Sequence, residues 1–149
     1  MHTSFHAFSG VVVGELSLLA LEPFLGLWVA LGIAFAIAFW SHTEVDRLGE
    51  GNCYGTFERA ILIDSIGMGG IITLSGYLLF GWTGVLFALA ANIIDIIDKY
   101  RNHVMKLPSI FPSHKKGFKM LCSITPKETL AINALVTAIS IIGVIIWIS

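Results

Sequence analysis

Long apolar blocks alternate along this chain with short polar stretches. The first block covers residues 8–21 and is closed by Glu22-Pro23, because Pro has no amide hydrogen and restricts the residue before it. The second covers 24–41 and ends in Ser41-His42-Thr43-Glu44-Val45-Asp46. The third covers 57–80, the fourth covers 85–98 after the tight turn Gly81-Trp82-Thr83-Gly84, and the fifth covers 126–148. Blocks of this length and uniformity predict transmembrane helices, the first of them short for a full span. The expected fold is all-α: a polytopic membrane protein of about five transmembrane helices in one bundle, a single domain over residues 1–149.

The connections carry their own signals. Residues 44–56 are polar, with Gly49, Gly51 and Gly55, and read as a surface loop ending at Thr56, a helix cap with Glu58 in the turn that follows. Residues 99–125 form the only long connection. Pro108 and Pro112 preclude one continuous helix there, and apolar residues mixed with Lys106, Lys115, Lys116 and Lys119 predict a loop on the headgroup surface. Thr125-Pro126-Lys127-Glu128 is a capping box with Pro at the first helical position. Gly10 and Gly14 in the first helix, and Gly67, Gly69 and Gly70 in the third, offer faces that let a neighbouring helix approach closely.

Composition sharpens the membrane reading. The chain is 56% hydrophobic and 13% charged, with a mean hydropathy of +0.83, beyond what a soluble core needs. Its net charge of -1 conceals an asymmetry. Alternating five spans puts the N-terminus, residues 44–56 and residues 99–125 on one side, with all nine Lys and Arg on or near it. The positive-inside rule makes that side cytoplasmic, giving an inner- or plasma-membrane protein with its N-terminus in and its C-terminus out. Trp40, Tyr54 and Tyr100 would sit at the cytoplasmic interface, and Tyr77, Trp82 and Trp147 at the other. No Lys or Arg precedes the first block, so a cleaved signal peptide is not expected. Cys53 and Cys122 have no metal-type spacing. The chain has no phosphate-binding glycine loop, Cys-x-x-Cys or Gly-x-Ser-x-Gly elbow, and its basic loop lacks the aromatic platforms of a nucleic-acid binder.

In this topology His6, His42, Asp46, Asp64, Asp95, Asp98, His103 and His114 all fall near the cytoplasmic ends of the helices. If the second helix continues past Trp40, His42 and Asp46 share one of its faces. Carboxylates buried one or two turns inside, as Asp64 and Asp95 would be, are costly unless a cation neutralises them. Mixed imidazole and carboxylate ligands suit Zn²⁺ or Mn²⁺, and a carboxylate-rich set suits Mg²⁺. Lys115, Lys116 and Lys119 could hold a lipid headgroup or a phosphate, or simply keep their loop in the cytoplasm.

His6-Ala-Phe-Ser-Gly10, followed by an apolar hairpin ending in Ser41-His42-Thr-Glu-Val-Asp46, resembles the small integral-membrane proteins grouped as metal-dependent hydrolases, some of them LexA-regulated. The resemblance covers roughly residues 6–116, with Asp64, the Asp95/Asp98 pair and His114 matching later acidic and His positions. The chain departs from the pattern at Arg47-Leu-Gly-Glu-Gly51, where Pro-His is common, at Ala91-Asn92 for Pro-Asp, and at Lys115-Lys116 for a second loop His. The resemblance implies a hydrolase with His42, Asp46 and Asp64 at the catalytic centre and His6, His42, Asp46, Asp64, Asp95 and His114 as metal ligands. Two readings from other classes stay open. One is a non-catalytic assembly or accessory subunit that packs its small-residue faces against a partner membrane protein or its own copies. The other is a small oligomeric carrier using Glu15, Asp64 and Asp95.

Overall fold

The computed structural model describes residues 3–48, 56, 59–114 and 124–149, and among these residues there is no strand. Five long helices carry the fold: α1 (Thr3–Leu25), α2 (Leu27–Asp46), α3 (Ala60–Phe80), α4 (Trp82–Lys99) and α5 (Pro126–Ile148). The chain winds α3 as a wide π-helix over Ala60–Met68, α-helix following from Gly69, and α4 runs on into a π-helical turn over Tyr100–Val104. Four helices, α1, α2, α3 and α5, are long and apolar enough to cross a membrane. The fourth, α4, has 18 residues and carries Asp95, Asp98 and Lys99 near its end.

Besides α1 starting at Thr3 rather than residue 8 and α2 running on to Asp46 rather than 41, three boundaries differ from the sequence reading. Pro23 does not end α1, because it stands in the last turn, where Gly26 N–H still reaches Glu22 O at 3.0 Å. The chain turns instead at Gly26, whose φ of 73° is a left-handed value that favours Gly. With that change α1 reaches 23 residues, a spanning length. The second boundary is at α4, which starts at Trp82 directly after Gly81, another positive-φ glycine. The third lies in the long connection, whose first five residues, Tyr100–Val104, stay helical. The remaining termini follow the local signals: Thr56 Oγ1 accepts from Arg59 N–H at 3.3 Å, and Thr125 and Glu128 form the reciprocal capping box. Glu58, Cys53, Cys122, Tyr54, Lys115, Lys116 and Lys119 lie outside the described residues.

The bundle is packed with small residues inside and large apolar ones outside. Ala30, Ala34, Ala38, Ala90 and Ala91 are fully buried, whereas Phe24, Trp28 and Ile146 are 84%, 77% and 71% exposed. That inversion places an apolar exterior where a soluble protein would be polar, as suits a bundle surrounded by hydrocarbon. The glycine face of α1 is used within the chain: a Cβ on Gly10 would strike the Phe87 carbonyl, and one on Gly14 the Phe87 ring. Gly76 and Gly84 likewise meet backbone to backbone where α3 passes α4. These contacts bring the first turn of α1, the last turn of α2, the start of α3 and the end of α4 to one end of the bundle.

Candidate metal centre

At that end α2 remains helical through Asp46, so His42 and Asp46 project together from its last turn and a half. His6 arrives from the first turn of α1, and its ring stacks on His42 with centroids 4.0 Å apart. Asp95 and Asp98 come from the last turn of α4. His114 is brought in by the connection after α4, which reverses near Lys106 (φ 56°) and closes in a short turn over Pro112–His114. Asp98 fixes this return by accepting from Ile110 N–H at 3.0 Å and Phe111 N–H at 3.3 Å, while Phe111 packs edge-on against Phe39.

Asp46 Oδ2 and Asp95 Oδ1 each stand near the two facing imidazole nitrogens, His42 Nε2 and His114 Nε2. From His42 Nε2 the separations are 3.0 Å to Asp46 Oδ2, 3.2 Å to His114 Nε2 and 3.8 Å to Asp95 Oδ1. From His114 Nε2 they are 3.1 Å to Asp95 Oδ1 and 3.6 Å to Asp46 Oδ2. Ligands about 2.0–2.1 Å from a tetrahedral ion lie about 3.3 Å from one another. The five separations bracket that value, while Asp46 and Asp95 belong to different three-residue groups.

The hydrogen bonds around the four donors fix which atoms are free. His42 Nδ1–H donates to Ala91 O at 2.7 Å, and His114 Nδ1–H to Asp98 Oδ2 at 2.9 Å. In their neutral forms both rings therefore present bare Nε2 lone pairs to each other, an arrangement that calls for a proton or a cation between them. Asp46 Oδ2 is buried and accepts no hydrogen bond among the described residues, although two imidazoles stand beside it. Lys99 Nζ holds the outer oxygen of Asp95 at 2.7 Å and leaves Oδ1 for the histidines. His6 Nε2 lies 3.3 Å from Asp46 Oδ1, so it can steer that carboxylate or, with His42 and Asp46, serve as a ligand itself. Burial would lower the His114 pKa, but the Asp95 hydrogen bond and charge, the Asp46 charge and the Asp98 hydrogen bond outweigh it and raise the pKa above the ordinary imidazole value.

Five of the expected ligands, His6, His42, Asp46, Asp95 and His114, are thus brought together in two overlapping groups that could each hold an ion. Asp64 belongs to neither group. Its carboxylate caps the N-terminus of α1, accepting from Thr3 N–H at 2.7 Å, Ser4 N–H at 3.3 Å and Ser4 Oγ–H at 2.5 Å, and it also accepts from Asn133 Nδ2 of α5 at 3.3 Å. His103 is exposed and also lies outside both groups. Glu15 sits about 13 Å along α1 from His6, where Thr83 Oγ1 donates to it at 2.6 Å. Two residues outside the expected ligand set matter here. Asp98 orients His114, and Lys99, one turn after Asp95, was legible as an i,i+4 ion pair.

No protein-family model matches the chain, and no match was found among curated proteins or solved structures.

Proposed function

We propose that this chain is an integral membrane, metal-dependent hydrolase whose ion is held at the cytoplasmic ends of five membrane-crossing helices. It would act on a phosphorylated or lipid-linked substrate. One observation carries the reading: two imidazoles with their Nδ1 protons already committed point bare Nε2 atoms at each other and at two carboxylate oxygens. His42, His114, Asp46 and Asp95 would be the ligands, with His6 steering Asp46. Zn²⁺ or Mn²⁺ suits this mixed set better than Mg²⁺, which prefers oxygen ligands and retained water. When bound, such an ion supplies a Lewis acid that acidifies water near neutral pH. Lys99, paired with Asp95, would set the position of an anionic group, and His6 would carry protons.

A second reading has its own support. Four protein donors fill a tetrahedral ion, as structural sites do, whereas catalytic sites keep a position open. On that reading the metal locks α2, α4 and the loop before Lys115 together in a non-catalytic accessory subunit.

Elemental analysis of the protein purified in mild detergent, beside a His42→Ala/Asp46→Ala variant, tests both. Near-stoichiometric Zn or Mn that is lost in the variant, with phosphate released from phosphorylated lipids, supports the hydrolase. Metal without turnover supports the structural reading. The absence of metal after supplementation with Zn²⁺, Mn²⁺ and Mg²⁺ refutes both.

A further inference from the structure

His42 faces two other imidazoles, and the two pairs are built differently. Its ring meets that of His114 edge-on, at an interplanar angle of 74°, with the two Nε2 atoms 3.2 Å apart. The lone pair of an imidazole nitrogen lies in the ring plane, so rings crossed in this way can aim at one ion between them. The His6 ring instead stacks on that of His42, with centroids 4.0 Å apart and planes 20° from parallel. Lone pairs in two stacked planes run side by side and do not meet on one ion. In these rotamers His6 and His42 cannot both bind the same metal, although each stands beside Asp46.

Asp46 supplies what such a stacked pair needs. Its two oxygens are divided between the rings: Oδ1 lies 3.3 Å from His6 Nε2, and Oδ2 lies 3.0 Å from His42 Nε2. The side chain is 8% exposed, and Oδ2 accepts no hydrogen bond among the described residues. A carboxylate with an imidazole nitrogen at each oxygen can bridge two ions, and the ions of two-metal sites stand about 3.5–4 Å apart. The spacing of the stacked rings matches that separation. The remaining ligands divide in the same sense, since Asp95 and His114 form a group with His42 that does not include His6.

We propose that the cluster is a two-ion centre bridged by Asp46. His6 Nε2 and Asp46 Oδ1 bind a second divalent ion beside the one held by His42, His114 and Asp95, which Asp46 Oδ2 also faces. The proposal rests on the metal reading of the cluster and extends it: with one ion His6 steers Asp46 and carries protons, and the second ion takes over its Nε2. Two protein ligands leave this ion positions for water or an anion, so it binds more weakly than the first. With neutral histidines, Asp46, Asp95 and Asp98 against Lys99 leave two net negative charges, which one divalent ion cancels. A second leaves two positive charges in excess, so it is held best together with an anion such as phosphate, the group that the proposed substrate would offer.

The test is a Mn²⁺ titration of the full chain in detergent, with and without inorganic phosphate, read by elemental analysis and electron paramagnetic resonance. We expect two Mn²⁺ per chain, the second bound at least tenfold more weakly, and an exchange-coupled signal that grows only as the second ion fills. Phosphate should tighten the second ion at least tenfold. His6→Ala should keep one Mn²⁺, near its original affinity, and lose the coupled signal. Asp46→Asn, similar in size but with a single donor oxygen, should lose the coupling as well. One uncoupled ion in the unaltered protein, even with phosphate present, overturns the two-ion centre, and this result does not depend on how either variant folds. A second ion without coupling is adventitious and overturns it too, as does a coupled pair that survives His6→Ala. Protein that binds neither Mn²⁺ nor Zn²⁺ refutes the metal reading itself.

Discussion

Asp64 and Asp46 are both buried carboxylates close to the start of α1, yet their surroundings are built in opposite ways. Asp64 receives two backbone amides, a hydroxyl and a side-chain amide, all supplied by the protein. Asp46 Oδ2 faces the Nε2 atoms of His42 and His114, whose Nδ1 protons are committed elsewhere, and accepts no hydrogen bond among the described residues. Burial alone therefore does not mark a functional carboxylate in a membrane bundle. What separates the two is whether the fold completes the acceptor or leaves it to a cation. Asp64 is a structural knot between α1, α3 and α5, and Asp46 belongs to a group that could hold an ion.

The sharpest way to break this comparison is Asp64→Ala. It would orphan up to four donors at roughly 1–3 kcal/mol each, partly recovered by water at a helix terminus, for a net loss of about 4 kcal/mol. Thermal unfolding in detergent should show that loss equally with and without added Zn²⁺, and metal content at low temperature should be unchanged. If instead Asp64→Ala releases the metal from folded protein, the separation of the two sites is wrong.

His42→Ala tests the other half. Removing one of four ligands should cost about 3 kcal/mol of metal affinity, roughly a hundredfold, given the 10–16 kcal/mol total of tetrahedral Zn²⁺ sites. Metal-free stability should move much less than in Asp64→Ala. A competition titration against a chelator of known affinity measures the first quantity, and apo-protein unfolding the second.

Asp98→Ala probes the layer behind the ligands. Asp98 touches none of the four donor atoms except through His114, whose Nδ1–H it accepts at 2.9 Å. Losing such a partner typically costs tenfold to a hundredfold in metal affinity, about 1.4–2.7 kcal/mol. The same change frees the amides of Ile110 and Phe111, so protease cleavage in the connection should rise alongside. An unchanged affinity would show that His114 is held by its other neighbours.

Much of this was legible in the sequence, for identifiable reasons. Continuous apolar runs revealed the helices, and the i,i+4 spacing of His42 and Asp46 put both on one face once α2 continued past Trp40. The capping box at Thr125 lay within four residues, and it marks the start of α5 as expected. The end of α1 was misplaced because a Pro reads as a break whether it stands mid-helix or in a last turn, and Gly26 decides the matter. Asp64 lies outside both candidate groups for a reason the sequence hides. An Asp two turns into an apolar helix looks the same whether it holds a cation or caps another helix, and the amides that settle it belong to Thr3 and Ser4, about sixty residues away. His114 had the right side chain, but its arrival depends on the Asp98 contacts across the loop, which no local periodicity encodes.

The smallest expected effect separates a proton from a metal at the same place. His114 lies outside the spanning helices, and its pKa is raised because the Asp95, Asp46 and Asp98 interactions outweigh burial. A raised folded-state pKa means that the protonated ring stabilises the apo-protein. That contribution is fully present below the unfolded value of about 6.5 and is lost as pH rises through the folded one. Metal binding has the opposite sign, since the ion must displace this proton. Apparent affinity should fall by up to tenfold per pH unit, about 1.4 kcal/mol, below the raised pKa and level off above it. Titrations in two buffers of different ionisation enthalpy would count the proton released. The apo-protein's melting temperature should decline through the same interval, while the metal-loaded protein's holds or rises. Parallel declines in both forms would mean that the ion and the proton do not compete for His114, and that the four donors are satisfied by one another.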